Sequence, residues 1–175
     1  MWLYRRSLLA VPTRTTSKRI GRTPPVKLKK ILVPIDFSNI SKDALPWATF
    51  LAAHFGAELI LLHVVEKFLI DHLLGRELMN EMIVPLMKQA EAELERIARS
   101  LSKSTGVNVS AVVRDGTPFE EISHAARTLG ADLIVVTTHG YTGLKHVWLG
   151  STAERVVRHA HCPVLAVREL NRKTG

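Results

Sequence analysis

Five strand-sized apolar runs recur along this chain, and stretches with helical spacing fill the gaps between them. The runs are Ile31 to Ile35, Glu58 to Val65, Val107 to Val113, Ala131 to Thr137 and Pro163 to Val167. Val107 to Val113 alternates; the others are nearly unbroken. A strand with one wet face alternates apolar and polar residues, whereas an unbroken apolar strand is covered on both faces. Apolar residues three and four apart supply the covers. They are Ala44, Leu45, Ala48, Leu51, Ala52 and Phe55; then Leu86, Met87, Ala90, Leu94, Ile97, Ala98 and Leu101; then Ile122, Ala125, Ala126 and Leu129; and last Val156, Val157 and Ala160. Gly56, Gly106 and Gly130 stand where the first three would stop. Strands alternating with helices predict an α/β fold, a Rossmann-like doubly wound parallel sheet of five strands with helices on both faces. Right-handed crossovers favour the strand order 3-2-1-4-5, with ligands outside the carboxyl ends of strands one and four.

Some local signals refine this outline. Pro46 requires the first helix to start late or to bend. Pro85 marks either the first position of the second helix or a kink in a longer one, so residues 66 to 84 read as helix or loop. Thr117-Pro118-Phe119-Glu120 and Ser151-x-x-Glu154 both have the form of a capping box, which predicts Thr117 and Ser151 as N-caps and Glu154 as the cap's partner. Asp36, just past the first strand, suits a turn or N-cap, or a hydrogen-bond acceptor at the sheet edge.

The net charge of +8 is unevenly placed. Nine of the 24 Lys and Arg fall in residues 1–30, which hold no Asp or Glu; the other 15 face 16 acidic residues, a net of −1. The basic character therefore belongs to an arm, residues 1–27, and the domain itself, residues 28–169, is about neutral, with a short tail at 170–175. The arm is rich in Arg, Ser and Thr and too poor in apolar residues for a core, so disorder is expected. It reads as a bland tail or the product of a start codon placed too early. Electrostatic contact with nucleic acid or an anionic membrane, and an organelle transit peptide, are the alternatives. Nucleic-acid binding by the neutral domain is not expected. No apolar run approaches the ~20 residues of a membrane span. One cysteine, Cys162, excludes an internal disulfide and fits a reducing compartment, hence a cytoplasmic expectation.

The segment THGYTGLKHVWLGSTAERV, residues 138 to 156, joins the fourth strand to the last helix. Glycines at 140, 143 and 150 allow close backbone approach, and a helix N-terminus offers unpaired N–H groups and partial positive charge. The pattern proposes a phosphate site, although it is neither a Walker loop nor G-x-G-x-x-G. His139 either orients this loop or touches a phosphate. The eight histidines show no metal-ligand spacing, so no metal site is expected, and His63 reads as a core histidine.

Taken together, KKILVPIDFS, LILLHVVE, VRDGTPFEEI and ADLIVVTTHGYTGLKHVWLGSTAERVVRHAHCPVLAV resemble the universal stress protein family over about residues 28 to 168. The nucleotide-binding branch of that family carries G-2x-G-9x-G-(S/T). Gly140, Gly150 and Ser151 match it, and Thr137 stands in place of the first glycine. The resemblance implies a homodimeric, ATP-binding stress-response or signalling module, with or without Mg2+, paired through the last strand, Pro163 to Val167. It implies contacts from Pro34, Ile35, Asp36 and Val64 to adenine and ribose, and from Val136, Thr137, His139, Gly140, Gly150, Ser151 and Thr152 to the ribose and phosphates. No catalytic residue is assigned. Two other readings stay open: a nucleotide-free adaptor whose site Thr137 closes, and a slow ATP hydrolase, for which the loop offers neither a Walker lysine nor an evident base.

Overall fold

A computed structural model describes residues 26–66, 76–138 and 149–168, with residues 76–82 described through their backbone alone. Most of the arm and the whole tail lie outside these residues, as do 67–75 and the loop 139–148.

The elements run β1 (Lys30–Pro34), a 3-10 turn (Ser41–Asp43), α1 (Ala44–Phe55), β2 (Glu58–Glu66), α2 (Arg76–Thr105), β3 (Val109–Gly116), α3 (Pro118–Leu129), β4 (Leu133–Thr137), α4 (Ser151–His159) and β5 (Val164–Val167). All strand pairs are parallel, in the order β3-β2-β1-β4-β5. This is the doubly wound sheet that the apolar runs predict.

The period of two sorts the strands onto two faces. Ile31, Val33, Leu59, Leu61, Leu133 and Val135 pack with Ala44, Ala48 and Ala52 of α1 and with Leu94, Ile97 and Ala98 of α2. Leu32, Ile60, Leu62, Ile134 and Val136 pack on the other face with Ile122, Ala125 and Ala126 of α3 and with Ala153 and Val156 of α4. Alanines on the helices let them lie close to the branched side chains of the sheet. Each aliphatic side chain so buried contributes about 1.5–3 kcal/mol of transfer free energy, largely offset by lost chain entropy.

Helix boundaries follow the local chemistry, with instructive exceptions. Pro46 lies in the first turn of α1, where an N–H would have no intrahelical acceptor, so the late start is observed. Gly56 caps α1 in the left-handed region, φ 65°, donating to Ala52 O. α2 is the longer of the two expected helices: it holds Pro85 in its interior and starts at Arg76. Thr117 is the N-cap of α3 and Pro118 its first residue, but the threonine side chain makes no cap hydrogen bond.

The second capping box is not formed. The N-cap of α4 is Gly150, in extended conformation, and Ser151 is the first helical residue. The Gly150 carbonyl accepts from Glu154 N–H at 2.9 Å, so the helical ladder begins one residue early. Glu154 thereby falls one position too far along to reach back to a cap, and its carboxylate instead meets Arg158 at 2.7 Å.

One long-range tie aligns the two central strands at their amino ends. The Asp132 carboxylate accepts from the N–H groups of Lys29 at 2.7 Å and Lys30 at 3.0 Å. In return Asp132 N–H donates to Lys30 O at 2.9 Å.

Candidate functional site

The lengths of the strand ladders open a crevice. β1 pairs with β4 only at Ile31–Leu133 and Leu32–Ile134. On the outer sides β1 continues with β2 to Pro34–Leu62, and β4 continues with β5 to Thr137–Val167. Past Leu32 and Ile134 the central strands therefore part, each held by its outer neighbour. From this point the chain leaves β1 for α1 on one face and β4 for α4 on the other. Such a switch point at the carboxyl edge is where open α/β sheets place ligands.

On the β1 side the chain turns at Asp36. Its Oδ1 accepts from Ser38 N–H at 2.9 Å, and its own N–H donates to Ser41 Oγ at 3.3 Å. Ser41 is buried and returns to Ser38 twice, through its N–H to Ser38 Oγ and its hydroxyl to Ser38 O, both at 3.0 Å. The turn role of Asp36 is thus observed. Its carboxylate is exposed and has about four lone-pair directions, enough to accept from a ligand as well. Phe37 follows with φ 63°, a left-handed conformation that costs a bulky side chain energy.

Ile35 is buried beneath the turn, with its N–H on Leu62 O at 2.7 Å and its carbonyl 2.7 Å from His63 Nδ1. In a parallel ladder residues two apart address the same neighbour, so Val64, two past Leu62, aims its backbone at the space beyond the end of β1. Val64 is half-buried there and Pro34 closes the β1 ladder.

On the β4 side Val136 and Thr137 are buried. Period two puts Val136 on the α3/α4 face and Thr137 on the α1/α2 face, with Leu133 and Val135. Thr138 N–H donates to Val167 O at 2.8 Å, and Gly150 N–H closes on Thr138 O at 2.6 Å. This last bond pins the two ends of the glycine loop together and sets the N-terminus of α4 beside the end of β4. Ser151 is exposed and Thr152 half-buried at that terminus. With Gly150 as the cap, the Ser151 hydroxyl is not used as an N-cap, and the first N–H groups of the helix have no intrahelical acceptor and carry a partial positive charge. His139 and Gly140 lie outside the described residues.

His63 is the participant that sequence reasoning placed only in the core. It is half-buried, its ring centroid lies 4.3 Å from that of Phe37, and burial lowers its pKa despite the Ile35 carbonyl and the nearby Asp36 charge. The neighbour that gives it this role is on another strand, so only the β1–β2 register could have revealed it. Among the described residues no three His, Cys, Asp or Glu side chains stand together as a metal site, and no helix is long and apolar enough to cross a membrane.

Comparison with known proteins is consistent across the domain. The model of the universal stress protein family matches residues 27–168. Universal stress protein MJ0531 of Methanocaldococcus jannaschii is 37% identical over 143 residues, covering 81% of this chain and 82% of its own. Universal stress protein MJ0577 of the same organism is 34% identical over 160 residues, covering 83% and 98%. The solved structure of MJ0577 superposes with a TM-score of 0.75 at 36% identity, over 83% of this chain and 99% of that one. A universal stress protein in complex with cAMP (TM-score 0.60, 21% identity, 83% and 100% covered) shares the fold. So does an Arabidopsis thaliana family protein with AMP bound (TM-score 0.57, 21% identity, 84% and 95% covered).

Proposed function

This chain belongs to the universal stress protein family, and from that premise we propose that it is a binding module for an adenine nucleotide, ATP, held in the crevice between β1 and β4. The observation that carries the reading is the parting of β1 from β4 at the switch point, with the α4 N-terminus fastened to Thr138 directly beside it. Asp36 accepts from the ribose hydroxyls, as an acidic residue at a strand end does in dinucleotide folds. The backbone of Ile35 and Val64, past the last residue of β1, Pro34, meets the adenine edge. Ile35 O keeps its second lone pair and Val64 faces the gap. Val136 and Thr137 form the β4 wall, and Gly150, Ser151 and Thr152 offer N–H groups to the phosphates, with His139 and Gly140 in the loop between. Two relatives of the same fold, one in complex with cAMP and one with AMP bound, support the choice of an adenine nucleotide. Mg2+, where it accompanies ATP, is held mainly by the phosphates, with Asp36 the acidic side chain that the turn after β1 presents.

The module acts in the cytoplasm as a homodimer in stress response or signalling, its shape or partners changing with occupancy. β5 is the last strand of the sheet, with Ala166 exposed and Val164 and Leu165 half-exposed, and an unpaired edge of this kind suits pairing of Pro163 to Val167 across a two-fold axis. A second reading, an adaptor of the same fold that holds no nucleotide, requires Thr137 to close the site.

The deciding experiment denatures freshly purified protein, identifies any released nucleotide, and titrates the refolded or nucleotide-stripped protein with ATP, AMP and cAMP by calorimetry. The reading expects bound or bindable adenine nucleotide. Folded protein that releases none and gives no heat at millimolar ATP belongs to the adaptor reading.

A further inference from the structure

The turn that presents Asp36 is held from beneath, and the holder is a single side chain on the neighbouring strand. His63 Nδ1 stands 2.7 Å from Ile35 O. A carbonyl only accepts, so this contact requires the ring proton on Nδ1. The same ring lies against Phe37, centroids 4.3 Å apart and planes inclined by 33°. Phe37 is the described non-glycine residue with positive φ, and such a conformation persists only where the surroundings over-determine it. They do so here: Phe37 packs with Val65, Ile83, Ala90, Met87 and Val113, a small cluster joining the sheet edge to the first half of α2. Asp36 is the residue between the two anchored ones, with Ser38 and Ser41 fixing it from the other side.

We propose that His63, protonated on Nδ1, is a positioning residue for the nucleotide site, gripping Ile35 O and Phe37 so that the Asp36 carboxylate is fixed where ribose hydroxyls arrive. This deepens the proposed function and rests on it for the ligand. The grip itself is made by groups of the chain alone. His63 touches no ligand and acts through Asp36 alone. Burial keeps the ring from carrying a second proton at neutral pH, so it stays a one-proton donor.

Two substitutions separate the grip from mere filling of space. In His63→Asn the amide nitrogen stands where Nδ1 stood and can still donate; in His63→Leu a similar volume remains without a donor. Three measurements on the full chain follow. In the wild type, nitrogen-15 NMR of the His63 ring shows Nδ1 protonated and Nε2 not; the opposite tautomer overturns the proposal whether or not nucleotide binds. The Ser38 amide, which donates to Asp36, exchanges about tenfold faster in His63→Leu, with wild-type protection in His63→Asn. Equal exchange in all three proteins also overturns it. Calorimetry then compares ATP with 2′-deoxy-ATP. The wild type prefers ATP, and His63→Leu loses about tenfold of that preference, the worth of one hydrogen bond to a charged group, while binding the deoxy analogue within about twofold of wild type. His63→Asn retains the preference. A preference intact in His63→Leu, or lost equally in both variants, refutes the positioning role. A wild type that binds neither nucleotide refutes the proposed ligand, and the tautomer and amide exchange still decide the grip.

Discussion

Replacing Thr137 with glycine restores the family's loop pattern, and the structure predicts that it costs stability without improving nucleotide binding. Thr137 is 6% exposed and forms the last rung of the β4–β5 ladder opposite Val167. By strand alternation its side chain lies on the α1/α2 face, with Leu133 and Val135. Deleting the two buried side-chain carbons costs about 1.5 kcal/mol, and glycine in a strand costs about another 0.5–1 kcal/mol in chain entropy. Thr137→Gly should therefore lose about 2 kcal/mol in urea unfolding, seen as a lower midpoint at unchanged slope. Its ATP affinity by calorimetry should stay within about threefold, because removing atoms from the α1/α2 face of the sheet frees no room in the crevice. Thr137→Val, which keeps the shape, serves as the control and should bind as wild type does. A gain of tenfold or more, about 1.4 kcal/mol, with little loss of stability would refute this placement. It would show that threonine intrudes on the ligand, and it would favour the adaptor reading for the wild type.

Asp132→Ala removes the carboxylate that accepts from two backbone N–H groups at the start of β1, one exposed and one half-buried; the expected loss is about 2 kcal/mol in urea unfolding, and a loss below about 0.5 kcal/mol would refute the tie. His63 gives a pH signature. Its folded pKa lies below the ordinary 6.5, so the unfolded chain binds more protons in that window, and its contribution to stability is lost as pH falls through it. Measured against His63→Asn, wild-type stability should be constant above about pH 7 and decline toward pH 5; the opposite slope would mean that the Ile35 hydrogen bond and the Asp36 charge together outweigh burial.

The sheet was legible because both faces of it are covered. Ile31, Leu32 and Val33 are consecutive and all fully buried, which no surface strand or loop permits. Boundaries shifted where tertiary pairing overrode composition. Val107 belongs to the apolar run and is buried, yet it precedes β3. Arg114, Asp115 and Gly116 extend β3 because the ladder with β2 runs on to Glu66. The first turns of α2 were ambiguous because Pro85 disrupts the ladder from within, and packing of Ile83, Met87 and Ala90 against Phe37 and Val65 compensates. Ser151, the cap that its spacing predicts, lies one residue past the observed cap for a related reason. Its hydroxyl is a good cap, but the bond from Gly150 to Thr138 O fixes where the helix can begin, and a local preference of about 1 kcal/mol does not decide against it.

The two walls of the crevice also differ in how their sequence can be read. The β4 wall announces itself through glycines and a helix start, a pattern that one substitution, Thr137, disturbs. The β1 wall has no motif beyond a single aspartate. Its geometry comes from Ser38 and Ser41 on one side and His63 and Phe37 on the other, residues of ordinary type at ordinary spacing, brought together by strand register. These contacts are made entirely between groups of the chain, so the entropy of ordering Asp36 is lost on folding rather than on binding. A pattern search weights the glycines and would rank this chain by Thr137. The hydrogen bonds place the preorganised half of the candidate site around Asp36, where the pattern does not look, and a threonine on the α1/α2 face of β4 leaves those hydrogen bonds intact.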